Sequence, residues 1–196
     1  IPSQNEANAD AKSLRKHFEA GSLLERGLSK GKSTRDVILD YYQCNTQALA
    51  GHHVGTIKAW TKALFDAPEG IAADIYPEVI GILREAEGHG FLTLAISASN
   101  IWSVQIGASY LRLPLRHCRG ITTEVSNQLI SSTLLPPVPY GDGKLAAIQS
   151  ICGGLPLLAL GDSFEKTDKE MLEKAGFGGI IQPVTEKATK RLKSIA

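Results

Sequence analysis

Through the first third of the chain, apolar residues recur at helical spacing; after about residue 90 they gather into short unbroken runs. In "ADAKSLRKHFEAG" (residues 9–21) Leu14, His17 and Phe18 share one face, and Gly21 is a helix stop. "STRDVILDYYQCNTQALAG" (33–51) opens on a Ser/Thr cap, carries Val37, Ile38, Tyr41 and Tyr42 at helical spacing and closes at Gly51. "VGTIKAWTKALFDAP" (54–68) repeats the pattern through Ile57, Trp60, Leu64 and Phe65. No strand is predicted before residue 90. The expectation is a helical unit over residues 1–74 and a second unit over 75–196.

The second unit alternates. "YPEVIGILREAEGHG" (76–90) predicts a helix with proline in its first turn, and "FLTLAIS" (91–97) a strand. "NIWSVQIGASYLRL" (100–113) predicts another helix. Residues 116–143 read as a strand or hairpin excursion that runs into a proline-rich turn. Beyond it come a helix in "KLAAIQSICGG", a strand in "LPLLALGDS", a helix in "TDKEMLEKAG", a strand in "GGIIQPV" and a terminal helix in "TEKATKRLKSIA". Strands alternating with helices of this length predict an α/β fold, a Rossmann-like parallel sheet with helices on both faces. Chemistry in such sheets collects at the carboxyl ends of the strands.

Composition narrows the function classes. The formal net charge is +1, which gives no electrostatic case for nucleic acid or for an acidic membrane surface. The apolar runs are too short to span a bilayer. Cys44, Cys118 and Cys152 have neither paired nor metal-type spacing, so three free thiols in a reducing, cytoplasmic compartment are expected. The only methionine is Met171, so translation is expected to start upstream of Ile1.

Three signals fall where the fold would use them. Ser97 ends the strand "FLTLAIS" and is followed by Ala98 and Ser99. A hydroxyl and free amides at a strand-to-helix turn suit an anion, and the same serine is equally an ordinary helix cap. Lys144 opens a helix, where a cation opposes the helix dipole; it is either the partner of an anion or a solvated turn lysine. Asp162 leaves a buried strand, where a carboxylate is costly without donors or a cation, and a hard divalent ion such as Mg²⁺ is its natural partner. Asp168 is open between two roles: Thr167 and Glu170 form a T-x-x-E capping box that places it in a first helical turn, and it is also a second candidate for a metal's surroundings.

Taken in order, strand–Ser, Lys before a helix and strand–Gly-Asp resemble the haloacid dehalogenase superfamily, in its phosphoserine-phosphatase-like branch. The resemblance rests on "IYPEVIGILREAEGHGFLTLAISAS", "YGDGKLAAIQSI" and "LALGDSFEKTDKEMLEKAG", and the helical section ending in "ALAG" is similar to that branch's helical cap. It implies a Mg²⁺-dependent hydrolase of a small phosphomonoester working through an aspartyl-phosphate. Ser97 and the Ala98 amide would bind the phosphoryl group, Lys144 would neutralise it, Asp162 would hold Mg²⁺, and Asp168 would support the metal's water shell. Two departures stand out. The family's second acidic residue lies four positions after the first, where this chain has Lys166. Its nucleophile ends an apolar strand in an Asp-x-Asp motif ahead of the cap, whereas residues 1–12 read "IPSQNEANADAK". The resemblance therefore implies that the first core strand is supplied from outside these residues, by an upstream peptide or a second chain. The competing expectation is an inactive binding or scaffold protein that kept the fold.

Other signals are weaker. "GLSKGKST" (27–34) resembles a phosphate-binding P-loop, but its glycines are one residue too close and no strand feeds it. His52 and His53 are adjacent and so point apart, which argues for packing or surface roles over a shared metal. Trp60 and Trp102 sit at apolar helical positions and are expected in the core. His117 and Cys118 have no third group to make a nucleophilic triad.

Overall fold

The computed structural model describes residues 31–68 and 70–181. The helices expected over 9–21 and 185–196, and most of the glycine segment 27–34, lie outside the described residues. Ser33 caps helix α1 (Thr34–Gln47), its hydroxyl accepting from the Asp36 amide at 3.1 Å. Helix α2 (Val54–Asp66) follows a turn at Gly51, whose φ of +84° favours glycine. Each buries only a narrow stripe, Val37 and Thr46 on α1 and Ile57 and Thr61 on α2, so both depend on what they pack against. A 3₁₀ turn (Ile71–Asp74) leads into α3 (Pro77–Gly88), which has proline in its first turn.

The α/β section then runs β1 (Ala95–Asn100), α4 (Ile101–Tyr110), β2 (Cys118–Ser126), β3 (Leu129–Leu135), α5 (Asp142–Cys152), β4 (Leu158–Gly161), α6 (Lys169–Lys174) and β5 (Phe177–Ile180). β1 and β2 are parallel and joined through α4; β4 and β5 are parallel and joined through α6. The irregular segment is a true hairpin: β2 and β3 pair antiparallel across Asn127 and Gln128, both at positive φ, as a tight two-residue turn requires.

The strands form two sheets, β1-β2-β3 and β4-β5, where a Rossmann-like parallel sheet lacking its first core strand was expected. β1 and β4 share no ladder, yet they are neighbours. Leu94 and Ile96 pack on the cluster of Ile148, Ala159, Met171 and Leu172 that joins α5, β4 and α6. Among the described residues, neither β1 nor β4 pairs with another strand on its second edge. The ladders are also shorter than the apolar runs. β1 starts at Ala95, opposite Cys118, leaving Phe91 and Leu92 exposed ahead of it, and Leu155 and Leu157 are exposed ahead of β4.

A second cluster, Ile57, Trp102 and Ile130 with Leu49, Val54 and Trp60 around it, joins α2 to α4 and the hairpin. Backbone bonds reinforce it: the Gly51 amide donates to the Ile130 carbonyl (2.8 Å), the Ile130 amide to His52 (3.0 Å) and the Val54 amide to Gln128 (2.9 Å). The turn between α1 and α2 is therefore stitched to the hairpin. Among the described residues no helix is long and apolar enough to cross a membrane.

Candidate functional site at the carboxyl ends of β1 and β4

The end of β1 is irregular. Ile96 lies opposite Arg119 and Asn100 opposite Ile121, so four steps along β1 match two along β2. This bulge lifts Ser97, Ala98 and Ser99 out of the regular ladder. The Ser99 amide turns onto the Ser97 hydroxyl at 3.1 Å. Gly120 makes the bulge possible: a Cβ there would lie 2.7 Å from the Ile101 Cα and 2.8 Å from the Ser99 carbonyl oxygen. The helix cap that Ser97 was weighed against is Asn100, whose side chain accepts from the Ser103 amide at 2.9 Å. Ser97 is thus not the cap of α4.

β4 ends in Gly161, and the chain turns through a π-helical loop, Phe164–Asp168, closed by the Asp168 amide donating to the Ser163 carbonyl at 3.1 Å. The capping box expected from Thr167 and Glu170 is not formed. The Thr167 hydroxyl donates to the Asp168 carboxylate at 3.0 Å, and α6 begins at Lys169. Asp168 points inward, 2 % exposed, and pairs with Lys144, itself 6 % exposed; the Ser163 amide holds its other oxygen at 3.1 Å. Buried charges persist only when paired and hydrogen-bonded in this way. Gly161 supplies the room, since a Cβ there would sit 2.5 Å from an Asp168 carboxylate oxygen. Lys144 arrives from the first turn of α5, where Gly143 lets the chain pass against Val138; a Cβ at Gly143 would fall 1.8 Å from the Val138 carbonyl oxygen.

Between these elements lies a cavity of about 320 Å³. Ser97, Ala98 and Ser99 form one wall, Gly161, Asp162 and Ser163 another, and the Lys144–Asp168 pair the floor. Asp162 is exposed and makes no hydrogen bond to another described residue. Tyr42, from α1, also lines the cavity. Its phenol is pushed above the ordinary value, first by burial, then by Tyr41 and by the carboxylates of Asp162 and Asp168. A divalent metal's donor set is incomplete: a hard cation takes about six oxygens, Asp168 is already engaged, and among the described residues no three His, Cys, Asp or Glu side chains cluster to hold an ion.

No family model and no curated protein matches the chain. Solved structures do. A protein of unknown function from Bordetella pertussis Tohama I superposes with a TM-score of 0.67 at 15 % identity, over 93 % of this chain and 80 % of that one. A phosphoserine phosphohydrolase-like protein from Francisella tularensis subsp. tularensis SCHU S4 gives 0.53 at 17 % identity, over 89 % and 74 %. A HAD family hydrolase from Salmonella enterica subsp. enterica serovar Typhi gives 0.52 at 18 % identity, over 85 % and 54 %. The chain has a haloacid dehalogenase-like fold.

Within this HAD-like fold, the five residues singled out from the sequence, Ser97, Ala98, Lys144, Asp162 and Asp168, line the same cavity. Lys144 is not a solvated turn lysine, because Asp168 holds it in the interior. Sequence reasoning passed over Tyr42 as one of four apolar-face positions on α1; helical spacing alone does not mark which of them reaches the cavity. Other candidates stand apart from the cavity. His52 packs edge-on against Trp60, ring centroids 5.3 Å apart. The Cys118 thiol is buried beside the Pro114 carbonyl, and burial pushes its pKa up. Trp102 is buried, whereas Trp60 is only partly so.

Proposed function

We propose that the protein is a phosphomonoester hydrolase acting on a small phosphorylated molecule. One observation carries this reading: a bulged Ser97–Ser99 segment, a buried Lys144–Asp168 pair and an unpartnered Asp162 border one cavity at the carboxyl edge of an α/β fold. Donors fixed in place around a cavity suit a group whose negative charge grows during reaction. Ser97 and the Ala98 amide bind the phosphoryl oxygens. Lys144, fixed by Asp168, offsets their charge. In this reading residues 1–74 are a helical cap domain and residues 75–196 the core, and the cap excludes bulk water and selects the substrate.

In this reading an additional parallel strand, from an upstream peptide or a second chain, pairs between β1 and β4 and delivers the nucleophilic carboxylate. Its oxygen attacks phosphorus as the ester P–O bond breaks, and the leaving oxygen takes a proton. Water then attacks the aspartyl-phosphate, releasing inorganic phosphate and restoring the carboxylate. The names of the Francisella and Salmonella neighbours agree with this class of reaction. Among the described residues lining the cavity, Asp162 is the carboxylate that would hold Mg²⁺, which would add positive charge beside the phosphoryl oxygens.

The test compares hydrolysis of p-nitrophenyl phosphate, with Mg²⁺ present, by the 196-residue chain and by the protein extended upstream of Ile1. The chain alone should bind Mg²⁺ weakly and turn over negligibly, and the extended protein should turn over. Robust turnover by the chain alone would overturn the source of the nucleophile. Inactivity of both would favour the alternative, a binding or scaffold protein.

A further inference from the structure

We propose that Tyr42 is a direct ligand of the anion in this cavity, its hydroxyl donating a hydrogen bond to a non-bridging phosphoryl oxygen. The inference rests on the phosphoryl-site reading above and adds a residue from the helical section to it. Tyr42 is the one side chain of α1 or α2 that borders the cavity. It faces a wall made of Ser97 to Ser99 and a floor made by Lys144, the groups that would hold the same ligand.

The ring is held in place. Tyr41 packs edge-on against it, centroids 5.7 Å apart, and Tyr140 lies tilted at 6.2 Å. Tyr140 is itself tied to α1, donating from its hydroxyl to the Arg35 carbonyl at 3.1 Å, and the Arg35 guanidinium reaches Glu170 at 2.5 Å. These contacts fix Tyr42 through its ring and leave its hydroxyl uncommitted. That hydroxyl makes no hydrogen bond to another described residue, although the side chain is partly buried. The hydroxyl is not cut off from water, so an anion entering the cavity can take over the bond it donates to solvent. The raised phenol pKa keeps the group a neutral donor, the form an oxyanion accepts.

The test titrates inorganic phosphate calorimetrically into the protein extended upstream of Ile1, as wild type, Tyr42→Phe and Ser97→Ala. Phenylalanine keeps the ring contacts and removes only the hydroxyl, and thermal unfolding of each variant checks that the fold survives. A hydrogen bond to a charged acceptor predicts that Tyr42→Phe weakens phosphate by at least about tenfold. Wild-type affinity in Tyr42→Phe, with weakened binding in Ser97→Ala, would overturn the role of Tyr42 and leave the phosphoryl site standing. Phosphate binding that is absent from the wild type, or indifferent to both substitutions, would overturn the phosphoryl site and Tyr42 with it.

Discussion

Lys144 and Asp168 come from α5 and from the loop after β4, and each is tolerable in the interior only because the other is there. Removing one partner strands a buried charge, which typically costs about 3–5 kcal/mol. Lys144→Met should therefore lower the urea midpoint sharply, and Lys144→Met with Asp168→Leu should recover much of the loss. A single variant as stable as wild type would show that water reaches the pair. The sequence revealed this pair only in part. Lys144 was legible as a cation at an unfavourable helix position, and Asp162 as a carboxylate leaving an apolar run. The inward turn of Asp168 was not, because Thr167 and Glu170 offered a local capping pattern that competes with a long-range ion pair. Spacing along the chain carries no information about a partner 24 residues away.

Helix positions were read well where their signals are local. Ser33 caps α1, proline opens α3, and the helices over 54–68 and 76–90 lie where the apolar spacing puts them. Strands were displaced: the run at 91–97 yields a ladder at Ala95–Asn100, and that at 155–163 one at Leu158–Gly161. An apolar run states what can be buried, whereas a ladder exists only where a partner strand lies alongside. The bulge at Ser97–Ser99 belongs to this scale too, since it depends on Gly120 of the neighbouring strand. Gly120→Ala would drive a Cβ into the backbone of Ile101 and Ser99, atoms that cannot swing aside. The substitution should destabilise the protein by roughly 1–3 kcal/mol, a typical overpacking cost, and weaken phosphate binding by displacing the bulge. Unchanged stability and phosphate affinity would show that β1 relaxes without cost to the site.

Across the whole molecule, the α/β class was legible from the alternation of runs and the missing core strand from the absent Asp-x-Asp motif, whereas the pairing of the remaining strands into two sheets is set by tertiary contacts. The helical section is bound to the rest by the Gly51–Val54 stitch on the hairpin and by Arg35 reaching Glu170. Among the described residues no ladder joins the two sheets, and Leu94 and Ile96 pack against the cluster around Ala159. Hydrogen-bonded ladders make strands open together; side-chain contact alone couples them less tightly. The β4-β5 pair, short and flanked by exposed Leu157 (70 %) and Phe177 (66 %), is then a separate cooperative unit of lower stability than β2, which has partners on both edges. Native-state hydrogen exchange should give the amides of Leu158–Gly161 and Phe177–Ile180 a smaller opening free energy than those of Gly120–Thr123; equal values would make the two sheets one unit. A strand seated between β1 and β4 would fuse the two units, so that the protein's resistance to local opening becomes a function of how fully that seat is occupied.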